Sequence, residues 1–269
     1  MTGRVIYERR DHVAVVTLER PQTHNALTPA MLCALADVFT EIRDDDEIRV
    51  AVLTGSGDKA FCAGGDLGST LPLLTGARSP EDEWDHRVLR DPAVMPAATL
   101  REFDIRKPMI CAVNGVCLAA GFELMLATDL RLAAPHARFG LPEAQRGLIP
   151  FAGTTVRLTR QIPYCAAMQL MLTGDAVPSE QALDWGLINM VVPASELLAI
   201  AMQLAQRIAR NGPLAVQTIR GTVIQTSGVP LQSAFDIENR AWQTVLSSAD
   251  AKEGPLAFME KRPPRFTGR

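Results

Sequence analysis

A large excess of one charge, paired cysteines and long uninterrupted apolar runs are all missing from this chain. Lys and Arg number 27 against 30 Asp and Glu, a net charge of −3, so the chain lacks the basic balance that a nucleic-acid surface needs. The five cysteines, Cys33, Cys62, Cys111, Cys117 and Cys165, are odd in number and contain no C-x-x-C pair. That pattern argues against a disulfide framework and against a zinc site, and predicts buried thiols in a reducing, cytoplasmic setting. The four histidines stand singly, which gives no footing to a metal centre or a triad. The most apolar stretch, 108–130, is broken by Asn114, Glu123 and Asp129, so it reads as a core segment and not as a membrane span. Near the start, Val13, Val15 and Leu18 already look like a strand, while Glu8 and Asp11 do not suit a transit peptide. No internal repeat is clear, and the acidic run Asp44-Asp45-Asp46-Glu47 is short enough to be a solvated loop after a helix.

What is present is a chain of 269 residues, 47% hydrophobic and 21% charged, enough for one large core, or for a core with a smaller appendage. "VIYERRDHVAVVTLER" reads as two strands joined by a polar turn. "NALTPAMLCALADVFTEIRDD" reads as a helix with Thr28 at its N-cap and Pro29 at its first position. "RVAVLTGSG" is a buried strand ending in a glycine turn, "PMICAVNG" repeats that plan, and "DLRLAA" is a further short strand. Strand–turn–helix alternation of this kind predicts an α/β core. Residues 68–107 are less periodic, with a helix expected around 81–106, and suggest a functional loop or lid. Beyond about residue 193 only helical patterns remain, the first of them ending at Asn211-Gly212. The expected division is therefore an α/β core over 1–193 and a helical region over 194–269.

Two stretches carry chemistry. "AVNGVCLAAGFELML" runs strand, small-residue turn, helix, with Glu123 set among Phe122, Leu124 and Met125. A carboxylate buried there is costly unless paired, hydrogen-bonded or protonated. The unpartnered N–H groups at the start of such a helix can stabilise an oxygen that gains negative charge. "AFCAGGDLGS" ends a strand in the same way, at Ala63-Gly64-Gly65. Taken alone, each turn also suits tight packing. Glu123 would equally suit a solvent-facing helix position, and Glu143 a carboxylate at the start of a helix after Pro142.

Taken together, "AFCAGGDL", "AVNGVCLAAGFELMLATDLRLAA" and "ARFGLPEAQRGLIPFAGTTVRLTR" resemble the enoyl-CoA hydratase/isomerase family, the crotonase superfamily, and within it a 2-enoyl-CoA hydratase. "ERPQTHNAL", "LTGDAVPSEQALDWGLINMVVP" and "DAKEGPLAFMEKRPPRF" match in the same order. The resemblance implies a spiral of ββα units followed by helices that mediate trimer or hexamer assembly. It implies an acyl-CoA substrate, with no metal and no other cofactor. It places an oxyanion hole on the backbone N–H groups of Gly65 and Ala120, and two catalytic carboxylates on Glu123 and Glu143, 20 residues apart. CoA contacts would fall on Arg20, Ala63, Gly64, Asp66 and Leu67, with Phe258 and Lys261 reaching in from a neighbouring subunit. Asp66 also reads as a side chain that stabilises its turn.

The chain departs from the family pattern in several places. Gly68 and Gln22 stand where basic residues are frequent, and Ala120 stands where glycine is common, so the hole depends on Ala120 tolerating the local backbone angles. Phe151 and Thr155 are bulkier than the family's usual residues and would reshape the acyl end of the pocket. Both glutamates favour hydration over double-bond isomerisation, which often needs only one acid. Dehydration of a carnitinyl-like hydroxyacyl-CoA is a second possible chemistry, and RNA binding on the same fold a third reading. In the C-terminal helices Leu197, Leu198, Ile200, Leu204, Ile208, Phe235, Trp242 and Phe258 exceed what a small tail needs and predict an obligate oligomer.

Overall fold

Strands β2 (Val13–Glu19), β3 (Val50–Gly55) and β5 (Met109–Val113) are buried on nearly every residue, as parallel strands covered on both faces must be. They belong to a computed structural model that describes residues 3–269. With β1 (Arg4–Arg10), β7 (Leu130–Ala133) and β10 (Met190–Val191) they form a six-stranded sheet in the order β1-β2-β3-β5-β7-β10. Its pairs are parallel except the β1–β2 hairpin. A second sheet holds shorter strands, β4 (Ala60–Cys62), β6 (Val116–Leu118), β8 (Arg138–Gly140) and β9 (Val177–Pro178), in that order. Each of β3, β5 and β7 is thus followed at once by a short strand of the other sheet. This is the spiral repeat, which the unequal strand lengths hide from the sequence.

Helix α1 (Pro29–Asp44) starts as expected, with the Thr28 hydroxyl accepting from Met31 N–H at 3.3 Å and Pro29 at the first position. Within 68–107 a short helix, α2 (Thr70–Leu74), comes first, and the single helix expected around 81–106 is instead two short ones, α3 (Glu83–Arg90) and α4 (Val94–Thr99). The break has a local cause. Asp91 caps the end of α3 in an extended conformation, its N–H bonding Arg87 O, and Asp91 Oδ1 accepts from Ala93 N–H at 2.9 Å to open the next turn. Val88, Val94, Ala97 and Ala98 are buried against the main core, so much of this region is structural wall and not a free lid.

Helices α5 (Ala120–Leu126), α6 (Thr154–Gln161), α7 (Tyr164–Thr173) and α8 (Ser179–Asp184) complete the α/β part. The larger core packs α1, α4 and α5 on the sheets around Phe39, Phe61, Phe122 and Phe139. The opposite face of the six-stranded sheet is covered by α9 (Leu197–Ala209), whose Leu197, Ala201, Ala205 and Ala209 sit on Val13, Val15, Val50 and Ile110. Helices α10 (Pro213–Thr226), α11 (Leu231–Leu246) and α12 (Asp250–Met259) follow. Gly212 does not end α9 as expected. The helix closes at Arg210, and Gly212 is the N-cap of α10 with Pro213 behind it.

Candidate active site

Two turns meet at one edge of the short sheet. The first leaves β4 through Ala63, Gly64 and Gly65. Gly64 has φ +104°, and a Cβ there would lie 2.7 Å from Ala119 Cβ and 3.4 Å from Ala120 N, so glycine is what lets the turns touch. Gly64 O accepts from Leu27 N–H at 2.8 Å, and Leu27 O accepts from Asp66 N–H at 2.9 Å. These bonds straddle Gly65 and leave its own N–H without an acceptor among the described residues.

The second turn runs from β6 into α5. Its strained residue is Ala119, at φ +49° and ψ −127°, and not Ala120, whose φ is negative. An L residue held there costs roughly 1–3 kcal/mol. The kink is fixed by Ala119 N–H to Gly140 O at 3.1 Å, and it presents the N–H groups at the start of α5 to solvent-side space. Ala120 N–H has no acceptor among the described residues, since the intrahelical ladder begins with Glu123 N–H to Ala119 O. Below, a Cβ at Gly121 would meet Cys62 O at 2.4 Å, so α5 rests directly on β4.

Gly65 and Ala120 line a cleft of about 680 Å³ together with Glu123 and Glu143. Its walls are otherwise mostly aliphatic: Leu27, Leu32, Leu71, Met95, Leu124 and Ile149 are among them. The wall hydroxyls are committed to backbone, Thr70 to Leu27 O, Thr75 to Leu71 O and Thr99 to Met95 O, at 2.7–2.9 Å.

Glu123 is 2% exposed, which removes the surface-helix alternative. Its Oε1 accepts from Ala152 N–H at 2.7 Å, from Thr154 Oγ1 at 3.0 Å and from Thr154 N–H at 3.4 Å. Burial raises its pKa above the usual carboxylate value, and those donors pull it back. Glu143 lies at the start of a 3₁₀ turn after β8, yet its side chain makes no cap bond. Its Oε2 is buried without a partner. Burial first, then the charge of Glu123, push it up to about 7. The two carboxyls therefore differ: Glu123 is held by three donors, whereas Glu143 gains only its own backbone N–H and leaves Oε2 without a partner.

The remaining expected contacts divide. Ala63 and Leu67 line the cleft, whereas Arg20, Gly64, Asp66, Phe258 and Lys261 do not. Arg20 is ion-paired with Asp66, and Asp66 Oδ1 also accepts from Gly68 N–H and Ser69 Oγ at 2.9 Å, so Asp66 holds its turn. Phe258 projects from the end of α12, 85% exposed. Phe151 does border the cleft, but Thr155 is exposed. The buried threonine is Thr154, which the sequence reading passed over. Two further residues were missed. Asn25 ties the 20–26 turn to β4 through Nδ2 to Ala60 O at 2.8 Å. Arg131 holds the end of α5 through Met125 O, Leu126 O and Thr128 O at 3.0–3.1 Å.

The chain as a whole has relatives among known proteins. The model of the family described as enoyl-CoA hydratase/isomerase matches residues 8–269. The enoyl-CoA hydratase EchA19 of Mycobacterium tuberculosis is 40% identical over 267 residues, covering 98% of this chain and 96% of that one. The carnitinyl-CoA dehydratase of Proteus mirabilis is 36% identical, with 97% of each chain covered. A crystal structure of enoyl-CoA hydratase from Bacillus anthracis superposes with a TM-score of 0.88 at 35% identity, over 98% of this chain and 99% of that one. With a fold and a sequence that agree along nearly its whole length, this chain belongs to the enoyl-CoA hydratase/isomerase family.

Proposed function

We propose that the protein is an enoyl-CoA hydratase, adding water reversibly and syn across the C2–C3 double bond of a 2-enoyl-CoA thioester. The observation that carries this reading is the unequal pair of buried carboxyls on one apolar cleft, Glu123 held by three donors from the start of α6 and Glu143 with only its own backbone N–H and an unpartnered Oε2. Environments that push two carboxyls apart assign base and acid. Water's oxygen bonds to C3 while its proton passes to Glu123. Glu143 gives a proton to C2, and exchange with solvent restores both groups. As C3 is attacked the thioester oxygen gains charge, and the N–H groups of Gly65 and Ala120 receive it, each worth about 10²–10³-fold. Acid–base help adds about 10²–10⁴-fold. The chemistry needs neither metal nor cofactor beyond the CoA of the substrate.

Ala63 and Leu67 would flank the CoA arm, with Gly64 and the Arg20–Asp66 pair shaping the turn that carries them, and with Phe258 and Lys261 of a neighbouring subunit at the nucleotide end. Region 194–269 would assemble the core units, 1–193, into a trimer or a dimer of trimers. Its support is the apolar surface left on α10–α12, where Ile219, Leu231, Trp242 and Phe258 are exposed. By contrast Leu197, Ile200, Leu204 and Ile208 pack on the chain's own sheet. We place the enzyme in the cytoplasm. Among the described residues no helix is long and apolar enough to cross a membrane, and Cys33, Cys62, Cys111 and Cys117 are buried and unpaired.

Dehydration of a carnitinyl thioester is the second reading, since one relative bears that name. The cleft speaks against it. A quaternary ammonium seeks aromatic faces or free carboxylates, and apart from Phe151 these walls are mostly aliphatic, with the threonine hydroxyls already bonded and Arg146 adding a like charge. The test is a panel of 2-enoyl-CoA esters, followed by loss of the enoyl thioester absorbance. kcat/KM should rise about fourfold per added methylene until the cleft is filled. A trimethylammonium-bearing ester turned over as fast as its hydrocarbon analogue would reverse the assignment.

A further inference from the structure

We propose that the Thr154 hydroxyl is a positioning residue for the glutamate pair: it donates to Glu123 Oε1 and keeps Glu123 as the carboxylate that stays ionised and aimed at water. The inference rests on the hydratase reading above and extends it to a residue that never touches substrate.

Helix α6 begins at Thr154 and lacks an N-cap side chain of its own, because the preceding residue is Gly153. The Glu123 carboxylate takes that place from another helix. Its Oε1 accepts from Ala152 N–H just before α6 and from Thr154 N–H within it, where helix dipole and orphan donors both favour negative charge. The backbone bond from Thr154 is long, 3.4 Å, whereas its hydroxyl is at 3.0 Å. Thr154 is fully buried, and the hydroxyl has no other partner among the described residues. All three donors meet Oε1, which leaves Oε2 to the reaction.

Other charged groups near Glu123 do not duplicate this. Glu143 across the cleft feels the Glu123 charge, which raises the Glu143 pKa. Arg157 on α6 favours it at longer range, its Nη2 being bonded to Leu100 O and its Nη1 3.5 Å from Ala152 O. Arg146 acts on Glu143 and bonds Pro142 O. Cys62 and Cys117, on the strands under α5, stay neutral thiols because burial pushes both up. The remaining packed element, α4, carries no titratable side chain.

Thr154→Val keeps the shape and removes the donor. Removing a bond to the charged form raises the Glu123 pKa, so the acid limb of the kcat/KM–pH profile should move up. The expected shift is about one pH unit, the scale of one hydrogen bond to a charged group. KM should change little, and Thr154→Ser should restore the wild-type limb. If the valine protein does not fold, Thr154→Ala reads the same limb. An unmoved limb in the folded Val or Ala variant would overturn the proposal, as would a Ser variant displaced as far as Val. Absence of hydration by the wild-type protein would instead remove the reading beneath it.

Discussion

Glu143 carries a measurable consequence outside catalysis. Its folded pKa lies near 7, above the value of about 4.3 expected in an unfolded chain. The sign follows: its neutral form suits the fold, and that advantage is complete below the unfolded pKa and lost as pH rises through 7. Glu143→Gln removes the ionisation. Its melting temperature relative to wild type should therefore increase between pH 5 and pH 8, read by thermal melts at both. A constant difference would mean that the carboxyl is solvated. Glu123 stood out beforehand, because a carboxylate among apolar neighbours demands an explanation, whereas Glu143 was reached only through the family resemblance. Their inequality was not legible, since it depends on Thr154 and Ala152, about 30 residues from Glu123 in sequence, and on a loop that no pattern folds.

At the level of elements, the strand-to-helix turn of α5 is where the fold stores strain, at Ala119. Ala119→Gly relaxes the backbone while keeping every N–H in place. It should stabilise the protein by about 1 kcal/mol, seen as a melting-point rise of about 2–4 °C at fixed protomer concentration. Turnover should be unchanged, and a fall in stability would show that the methyl group packs productively. Strands and long helices could be read from the sequence because their burial repeats at a fixed period. The pieces within 68–107 could not, because Asp91 and Asp82 break them by capping with side chains, Asp82 Oδ1 accepting from Asp85 N–H at 2.9 Å. The Gly212 misreading has the same origin: one glycine can close a helix or open the next, and Pro213 decided for the second.

At the scale of the whole molecule, the apolar faces of α10–α12 exceed what a lone surface tolerates, with Leu231 and Phe258 at 71% and 85% exposure. Sedimentation at micromolar concentration should find trimers or hexamers, and monomer alone would contradict the assembly. The central claim is that two glutamates of one cleft share the addition of a single water. It is tested most directly by following loss of the enoyl thioester absorbance in wild type, Glu123→Gln, Glu143→Gln and the double variant, each checked for fold. The account predicts a kcat loss of about 10²–10⁴-fold in each single variant with KM nearly kept. The double variant should be little worse, because groups acting as a unit are not additive. One variant disabled and the other near wild type would contradict it, and would place the chemistry on a single acid.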